Sequence, residues 1–245
     1  MRTVLDAFSN LTTLFCKLTP QIQRDVTEVL RLRKGRARPA SYVANTLDIV
    51  YKIIDRYTKE TPLPYTFMTR EDWENFSDKK YPYYTCIVEL YGVDNLVRGL
   101  PLYCLTFSVY HYERHVYTIV YEAGNVVYGV DANTGEGYVL GGGKIAAIEV
   151  PSDEDPVCVW STRPVLPCCV DMAHYVIPNS SVLGICWVVR SRVAAAVVGA
   201  EDIPPCMQPF LKIAGASSIT KDGYTIFGLP SFVDELSKKM DKNDS

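Results

Sequence analysis

Two features of the 245-residue sequence predict a layered α+β sandwich. Apolar residues recur at helical spacing through the first third, and strand-like runs with mixed elements follow. That order, helices first and then strands, differs from the regular alternation of a repeating βαβ fold.

The helical part comes first. Val4, Leu5, Phe8, Leu11, Leu14 and Phe15 keep the three-and-four spacing of an amphipathic face. Pro20 suits the first turn of a second helix carrying Ile22, Val26, Val29, Leu30 and Leu32. A basic stretch, Arg31 to Arg38, ends at Pro39. A third helix is expected over Ser41 to Lys59, with Val43, Leu47, Val50, Tyr51, Ile54 and Tyr57 on its apolar face. Pro62 and Pro64 close this part.

The period then changes. Strands are expected at Thr85–Tyr91, Leu102–Tyr110, Val116–Tyr121, Val126–Asp131, Gly137–Leu140 and Ile145–Val150, rich in β-branched and aromatic residues. Asn95–Arg98 reads as a short helical turn, His111–His115 as a hairpin turn, and Asn133-Thr134-Gly135 as a second turn. The acidic, turn-rich segment Pro151–Pro156 is the best internal boundary, with subdomains over 1–150 and 157–240 of a single unit spanning 1–245. Beyond it the expected elements are a strand at Val157–Ser161, a helix at Val170–Val176 and a strand at Ile185–Arg190. Arg192–Gly199 reads as a strand or short helix, and Pro205–Ala214 as a helix interrupted by proline. Two strands, Ser218–Lys221 and Tyr224–Gly228, flank Asp222-Gly223, and Pro230–Lys239 forms a terminal helix.

Composition narrows the function. Hydrophobic residues make up 48% and charged residues 22%, which excludes a mostly disordered chain. The net charge of −3 is less basic than a dedicated nucleic-acid binder usually carries. No apolar run reaches the roughly 18 to 20 residues of a membrane span; Val182–Val198 is broken by Arg190, Ser191 and Arg192. The N-terminus carries Asp6 within its apolar stretch and no small-residue cleavage site, so a cytoplasmic protein is expected. The 8 cysteines form no CxxC pair, and buried free thiols are the simplest reading. Internal disulfides remain the alternative for a hyperthermophile source.

Several motifs suggest chemistry and fall short of it. His111 and His115 lie four apart, but in a strand–turn–strand pattern rather than on a helix. His174 lies near Cys168, Cys169 and Asp171 in sequence, which by itself makes no nucleophilic pair. Asp131-x-Asn133-x-Gly135 opens like a calcium loop but lacks its glycine position and closing Glu, so it reads as a hairpin turn. Gly141-Gly142-Gly143-Lys144 lacks the upstream Gly and the Ser or Thr of a phosphate loop. Arg31–Arg38 has no interleaved aromatic platform and reads as a solvated face.

The most informative stretch is Ile87 to Pro101. It resembles the signature of the inositol monophosphatase and fructose-bisphosphatase superfamily, Asp-Pro-(apolar)-Asp-Gly-Thr-x-Asn-(Phe)-x-x-Gly-(apolar)-Pro, through Gly92, Asn95, Leu96, Gly99, Leu100 and Pro101. The order that follows is similar too: a hairpin, then Gly135-Glu136-Gly137, then Gly143-Lys144-Ile145. Pro39–Asp55 resembles the family's second core helix, and Glu71-Asp72 falls where a Glu-Glu pair is usual. Ala214-Gly215-Ala216 with Asp222-Gly223 resembles the terminal Ala-Gly-Gly…Asp-Gly. The likeness covers about residues 20–240 and is most specific over 87–149.

The resemblance implies an α/β/α/β/α sandwich, a dimer, and a phosphatase whose carboxylates hold magnesium that polarises the ester and activates water. The matching breaks where that chemistry lies. Val88 and Tyr91 stand at the positions of the two signature aspartates, Val93 at that of the Thr, and Cys168-Cys169 where a Gly-Ser pair is usual. Glu71 and Asp72 remain as catalytic candidates, and Glu71 and Asp202 as metal candidates. The backbone of Gly92, Val93 and Asp94 at a helix start would meet phosphate, although the Asp94 carboxylate competes for the same positive end. On a strand Glu89 faces away from Val88 and would not inherit its place.

The expected function is therefore a homologue that has lost metal-dependent phosphatase activity and binds, regulates or supports structure. It would need no cofactor and would take a small phosphorylated ligand. One alternative is an active divergent sugar- or inositol-phosphate phosphatase using magnesium at Glu71, Asp72 and Asp202, with Asp94 as an added ligand. The other is a nucleic-acid or acidic-partner binder through Arg31–Arg38.

Overall fold

The computed structural model describes residues 47–49, 51–52, 55–56, 59, 65–75, 84–98, 100–124, 126–141, 144–148, 159–161, 175–176, 180–190, 192–213 and 215–243. The expected helices before residue 47, the basic stretch Arg31–Arg38, the segment Pro151–Pro156, Cys168-Cys169 and His174 lie outside them. Contacts divide the chain into two compact units, Met1–Gly129 and Val130–Ser245.

In the first unit, residues 47–49, 51–52, 55–56 and 59 are helical, within the span expected for the third helix. Two i,i+4 pairs, Asp48–Lys52 and Asp55–Lys59, line its exposed side. Strand β1 (Tyr65–Met68) pairs in parallel with β2 (Tyr84–Tyr91). β3 (Cys104–His111) and β4 (Arg114–Glu122) continue the sheet as an antiparallel meander, and β5 (Val126–Asp131) follows β4 in the sheet order. Nearly all of β3 and all of β5 is buried, including the polar Thr106 and Ser108 that alternate with Leu105, Phe107 and Val109. The β3–β4 turn is tighter than the expected His111–His115. His111 pairs with Arg114, leaving Tyr112 and Glu113 as the loop, with Tyr112 at φ 56°.

Helix α1 (Arg70–Asn75) follows β1 directly. It is anchored by Trp73, which packs with Met68, Ile87 and Tyr110. Helix α2 (Val93–Val97) follows β2 through Gly92, the helical turn that the sequence placed slightly later, at Asn95–Arg98.

The second unit holds a hairpin of β6 (Gly137–Gly141) and β7 (Lys144–Ala147), and a mixed five-stranded sheet. The sheet strands are β8 (Val159–Ser161), β9 (Tyr175–Val176), β10 (Ala195–Gly199), β11 (Ser217–Lys221) and β12 (Tyr224–Gly228), in the order β11-β12-β10-β8-β9. β10 runs parallel to β8 and antiparallel to β12. Helix α4 (Pro230–Asn243) lays Val233, Leu236 and Met240 on Ala195, Val197 and Ile226. These residues keep three-and-four spacing, in a helix that runs beyond the expected Pro230–Lys239.

Three sequence expectations are corrected here. Ile185–Arg190 is not a strand: helix α3 (Ser181–Val188) covers most of it. The Ser180 hydroxyl caps α3 by accepting from the Leu183 N–H. Nearly every residue of α3 is buried, so no polar face marks its period, and a short apolar run looks the same as a strand. Tyr175–Val176 is a strand and not the end of a helix. Pro205–Ala214 forms two 3₁₀ turns, Pro205–Met207 and Phe210–Lys212, because Pro209 denies the ladder an N–H.

Candidate functional site

The resemblance directs attention to the end of β2, the turn into α2, and the first turn of α1. Gly92 makes the turn. Its φ of 78° is left-handed, and a Cβ there would lie 2.5 Å from the Leu102 carbonyl oxygen. Only glycine fits that close approach. Asn95, nearly fully buried, donates from Nδ2 to the same Leu102 oxygen at 2.9 Å and holds the turn against the start of β3. The Gly and Asn of the signature thus have a structural reason that is independent of catalysis.

The two positions that the resemblance matches to the signature aspartates differ in setting. Val88 is buried, 1% exposed, in the sheet core. Tyr91 is half-buried at the strand end. Between them Glu89 points to the opposite face from Val88, as strand alternation requires, and it is taken by Arg70. The guanidinium grips it with two hydrogen bonds, Nη2 to Oε2 at 3.0 Å and Nε to Oε1 at 3.4 Å. The side chains are 24% and 17% exposed. Burial by itself would lower the Arg70 pKa, but the hydrogen bond and charge of Glu89 outweigh it and push the value further up. The pair is a charge-assisted, two-point contact between α1 and β2.

Asp72 is also engaged. Thr69 caps α1: its hydroxyl accepts from the Asp72 N–H at 3.0 Å and donates to Asp72 Oδ2 at 2.6 Å. The Thr69 N–H reaches Asp72 Oδ2 at 3.4 Å, which completes a capping box. The spacing Thr69-x-x-Asp72 was a readable signal for this role, whereas nothing in the sequence links Arg70 to Glu89 across 19 positions. Glu71 is exposed, as is Asp94 in the first turn of α2.

Tyr51 was legible only as an apolar-face residue. Its hydroxyl lies 3.5 Å from the Val88 carbonyl oxygen. Burial raises its pKa, and charges on Cys86, Asp72 and Glu89 push in the same direction. The phenol therefore sits neutral beside Asp72 and Glu89.

Asp202 belongs to the second unit, at the end of a 3₁₀ turn, Ala200–Asp202. It is exposed, and its backbone oxygen accepts from Ser181 Oγ at 2.6 Å. Among the described residues no group of three or more His, Cys, Asp and Glu side chains converges as metal ligands. Magnesium asks for several oxygen donors in near-octahedral array. The donor set at β2 and α1 does not fit it: Val88 and Tyr91 offer no carboxylate, Arg70 takes Glu89, and the cap takes Asp72.

The other motifs resolve into ordinary structure. The Asp131 carboxylate accepts from the Asn133 N–H at 2.6 Å and the Thr134 N–H at 2.9 Å, which makes an Asx turn and leaves no calcium loop. His115 stacks on Tyr110 and bonds Thr118 Oγ1, while His111 lies between Tyr84 and Tyr112. Cys86, Cys104, Cys186 and Cys206 are buried free thiols.

No family model and no curated protein matches the sequence. Solved structures do. A calcium-bound inositol monophosphatase family protein from Staphylococcus aureus superposes with a TM-score of 0.66 at 13% identity, covering 98% of this chain and 96% of its own. The fold is that of the inositol monophosphatases. An inositol monophosphatase from Thermotoga maritima gives 0.60 at 18% identity, covering 92% and 97%. The extragenic suppressor protein SuhB of Bartonella henselae gives 0.61 at 14%, covering 94% and 98%. The layered α+β fold class expected from the sequence is therefore shown. Among the described residues no helix is long and apolar enough to cross a membrane.

Proposed function

We propose that this chain is an inositol-monophosphatase-like protein without metal-dependent phosphatase activity, serving as a cytoplasmic binding or regulatory homologue that takes a small phosphorylated ligand and pairs as a dimer. One observation carries the reading. On β2 the carboxylate that lies between Val88 and Tyr91 in the chain is Glu89, and Arg70 already supplies its positive charge at 3.0 Å. A site that holds its own cation has no call on magnesium. The apolar replacements suit that state, because unpaired carboxylates crowded together without metal would repel one another. The solved neighbours include a calcium-bound structure and one bound to inositol monophosphate, which supports a phosphate-ester ligand class for the fold.

The test is hydrolysis of a phosphomonoester panel: inositol phosphate, fructose bisphosphate, a nucleotide bisphosphate and a chromogenic ester, each with magnesium and with chelator. No magnesium-dependent turnover is expected. Turnover that disappears in Glu71→Ala would instead support an active divergent enzyme built on Glu71, Asp72, Asp94 and Asp202.

A further inference from the structure

The pairing of β3 with β4 shifts between Val109 and Tyr110: Tyr117 lies opposite Val109, and His115 rather than Val116 lies opposite Tyr110. Side chains alternate along a strand, so an unbroken β4 would turn His115 to the face opposite Thr118. The extra residue, Val116, brings it round to the Thr118 face, which is how a bulge re-aims a side chain. There the His115 ring stacks on Tyr110, with centroids 4.9 Å apart and planes at 20°, and its Nε2 lies 2.8 Å from Thr118 Oγ1. His115 keeps partial contact with solvent, so protons reach it, whereas Thr118 is fully buried.

Ser108 stands directly opposite Thr118 in the register. Opposed residues of an antiparallel pair share one face, with Cβ atoms about 5 Å apart. Hydroxyls at that separation meet through rotation about χ1. Ser108 is fully buried, and its Oγ has no hydrogen-bond partner among the described residues. A buried hydroxyl in that state is costly. His115, Thr118 and Ser108 thus form a row that leads from solvent to an unpaired acceptor inside the sheet.

We propose that this row is a proton-sensitive switch: protonation of His115 reverses its hydrogen bond with Thr118 and pairs the Ser108 hydroxyl. Neutral imidazole with its proton on Nδ1 accepts at Nε2 from the Thr118 hydroxyl. Imidazolium has an N–H at both nitrogens and can only donate. A proton taken from water onto Nε2 therefore turns that bond round, and the Thr118 O–H swings to donate to Ser108 Oγ. The surrounding charges allow it. Arg70 of α1 bonds the Tyr110 hydroxyl and opposes a second cation, but Glu89 of β2 pairs it at 3.0 Å. Arg114 of β4 is exposed, and solvent screens it. Glu122, farther along the same face of β4, accepts from the Tyr128 hydroxyl and adds a weak attraction. The face of the Tyr110 ring also favours imidazolium. Tyr110 packs on Trp73, so the state of the hairpin bears on α1. The switch does not depend on whether hydrolysis has been lost.

The experiment is a nitrogen-resolved NMR titration of the imidazoles in the full chain from about pH 8 to 5, where histidine changes charge. The His115 signals are assigned by their loss in His115→Gln. The neutral ring is expected as the Nδ1–H tautomer. Ser108→Ala should bind the His115 proton about fivefold more weakly, as loss of one hydrogen bond in the charged state implies, with the tautomer unchanged. Thr118→Val should weaken it in the same direction and lose the tautomer preference. Proton uptake that is easier in the folded state adds stability at acid pH that is lost as pH rises. Acidification should therefore favour the native protein over Ser108→Ala in urea midpoints. Ser108→Ala removes a single oxygen and keeps the test informative if Thr118→Val does not fold. A neutral ring protonated at Nε2, or a His115 midpoint that is unchanged or higher in Ser108→Ala, would overturn the proposal.

Discussion

Two arginines, one in each unit, meet opposite fates. Arg70 is spent on Glu89, held at two points and linking α1 to β2. Arg190 lies against a glycine with a buried nitrogen that has no acceptor. The first is compensated by a carboxylate; the second is packed on bare backbone. The difference locates what each unit contributes. The first unit carries the signature turn, beside a carboxylate that Arg70 already pairs, and in the second the Arg190 guanidinium packs on Gly141.

The glycines beneath these regions sharpen the contrast and set the largest expected effect. Gly92→Ala places a Cβ 2.5 Å from backbone and demands a left-handed alanine, so it should destabilise the protein by about 3 kcal/mol. Gly141→Ala meets only the tip of a flexible side chain at 3.2 Å and should cost well under half as much. Urea unfolding of the two variants measures both; equal losses would break the comparison.

Alkaline pH probes the first unit next. Burial raises the pKa of Tyr103 from 10.0 to about 12, with the charge of Tyr121 adding to it. Burial likewise raises Tyr51, Tyr117 and Cys86. A raised acid pKa means that the folded state favours the neutral form. The stability this brings is fully present below the unfolded value and is lost as pH rises toward the folded one. For Tyr103 the loss runs from about pH 10 to 12 and amounts to about 2 to 3 kcal/mol. Urea midpoints should be flat from neutral pH to about 9 and then fall, less steeply in Tyr103→Phe. A slope unchanged in that variant would remove Tyr103 from the explanation.

Arg70→Ala comes third. It leaves Glu89 partly buried without a partner, at a cost of about 2 kcal/mol, below the full range for buried pairs because both groups retain some solvent. Thermal unfolding of Arg70→Ala beside Arg70→Ala/Glu89→Gln separates the pair from packing: the double variant should recover part of the loss. If it recovers none, the ion pair is not what Arg70 contributes.

The sequence revealed the strands from β2 to β5 to within a few residues, because turn residues and a change of period bound each of them. It also revealed α4, whose Val233, Leu236 and Met240 keep helical spacing opposite a charged face. It concealed α3, where burial on all sides erases the period, and the short elements β1 and α1, which are too brief for a periodic signal. At the candidate site Val88, Tyr91, Gly92 and Asn95 were legible from the signature. The ion pair and the Arg190 contact were not, since residues 19 and 49 positions apart become neighbours only through the fold. Asp72 was legible as half of an acidic pair, and the structure uses it in the cap of α1.

The most direct test of the internal-cation reading is a calorimetric titration of the intact protein with magnesium, run beside Glu89→Gln. No saturable binding at millimolar magnesium is expected in either protein, because Arg70 already neutralises the carboxylate. Saturable binding that is lost in Glu89→Gln would contradict it, and would place a working metal site where the Arg70–Glu89 pair now stands.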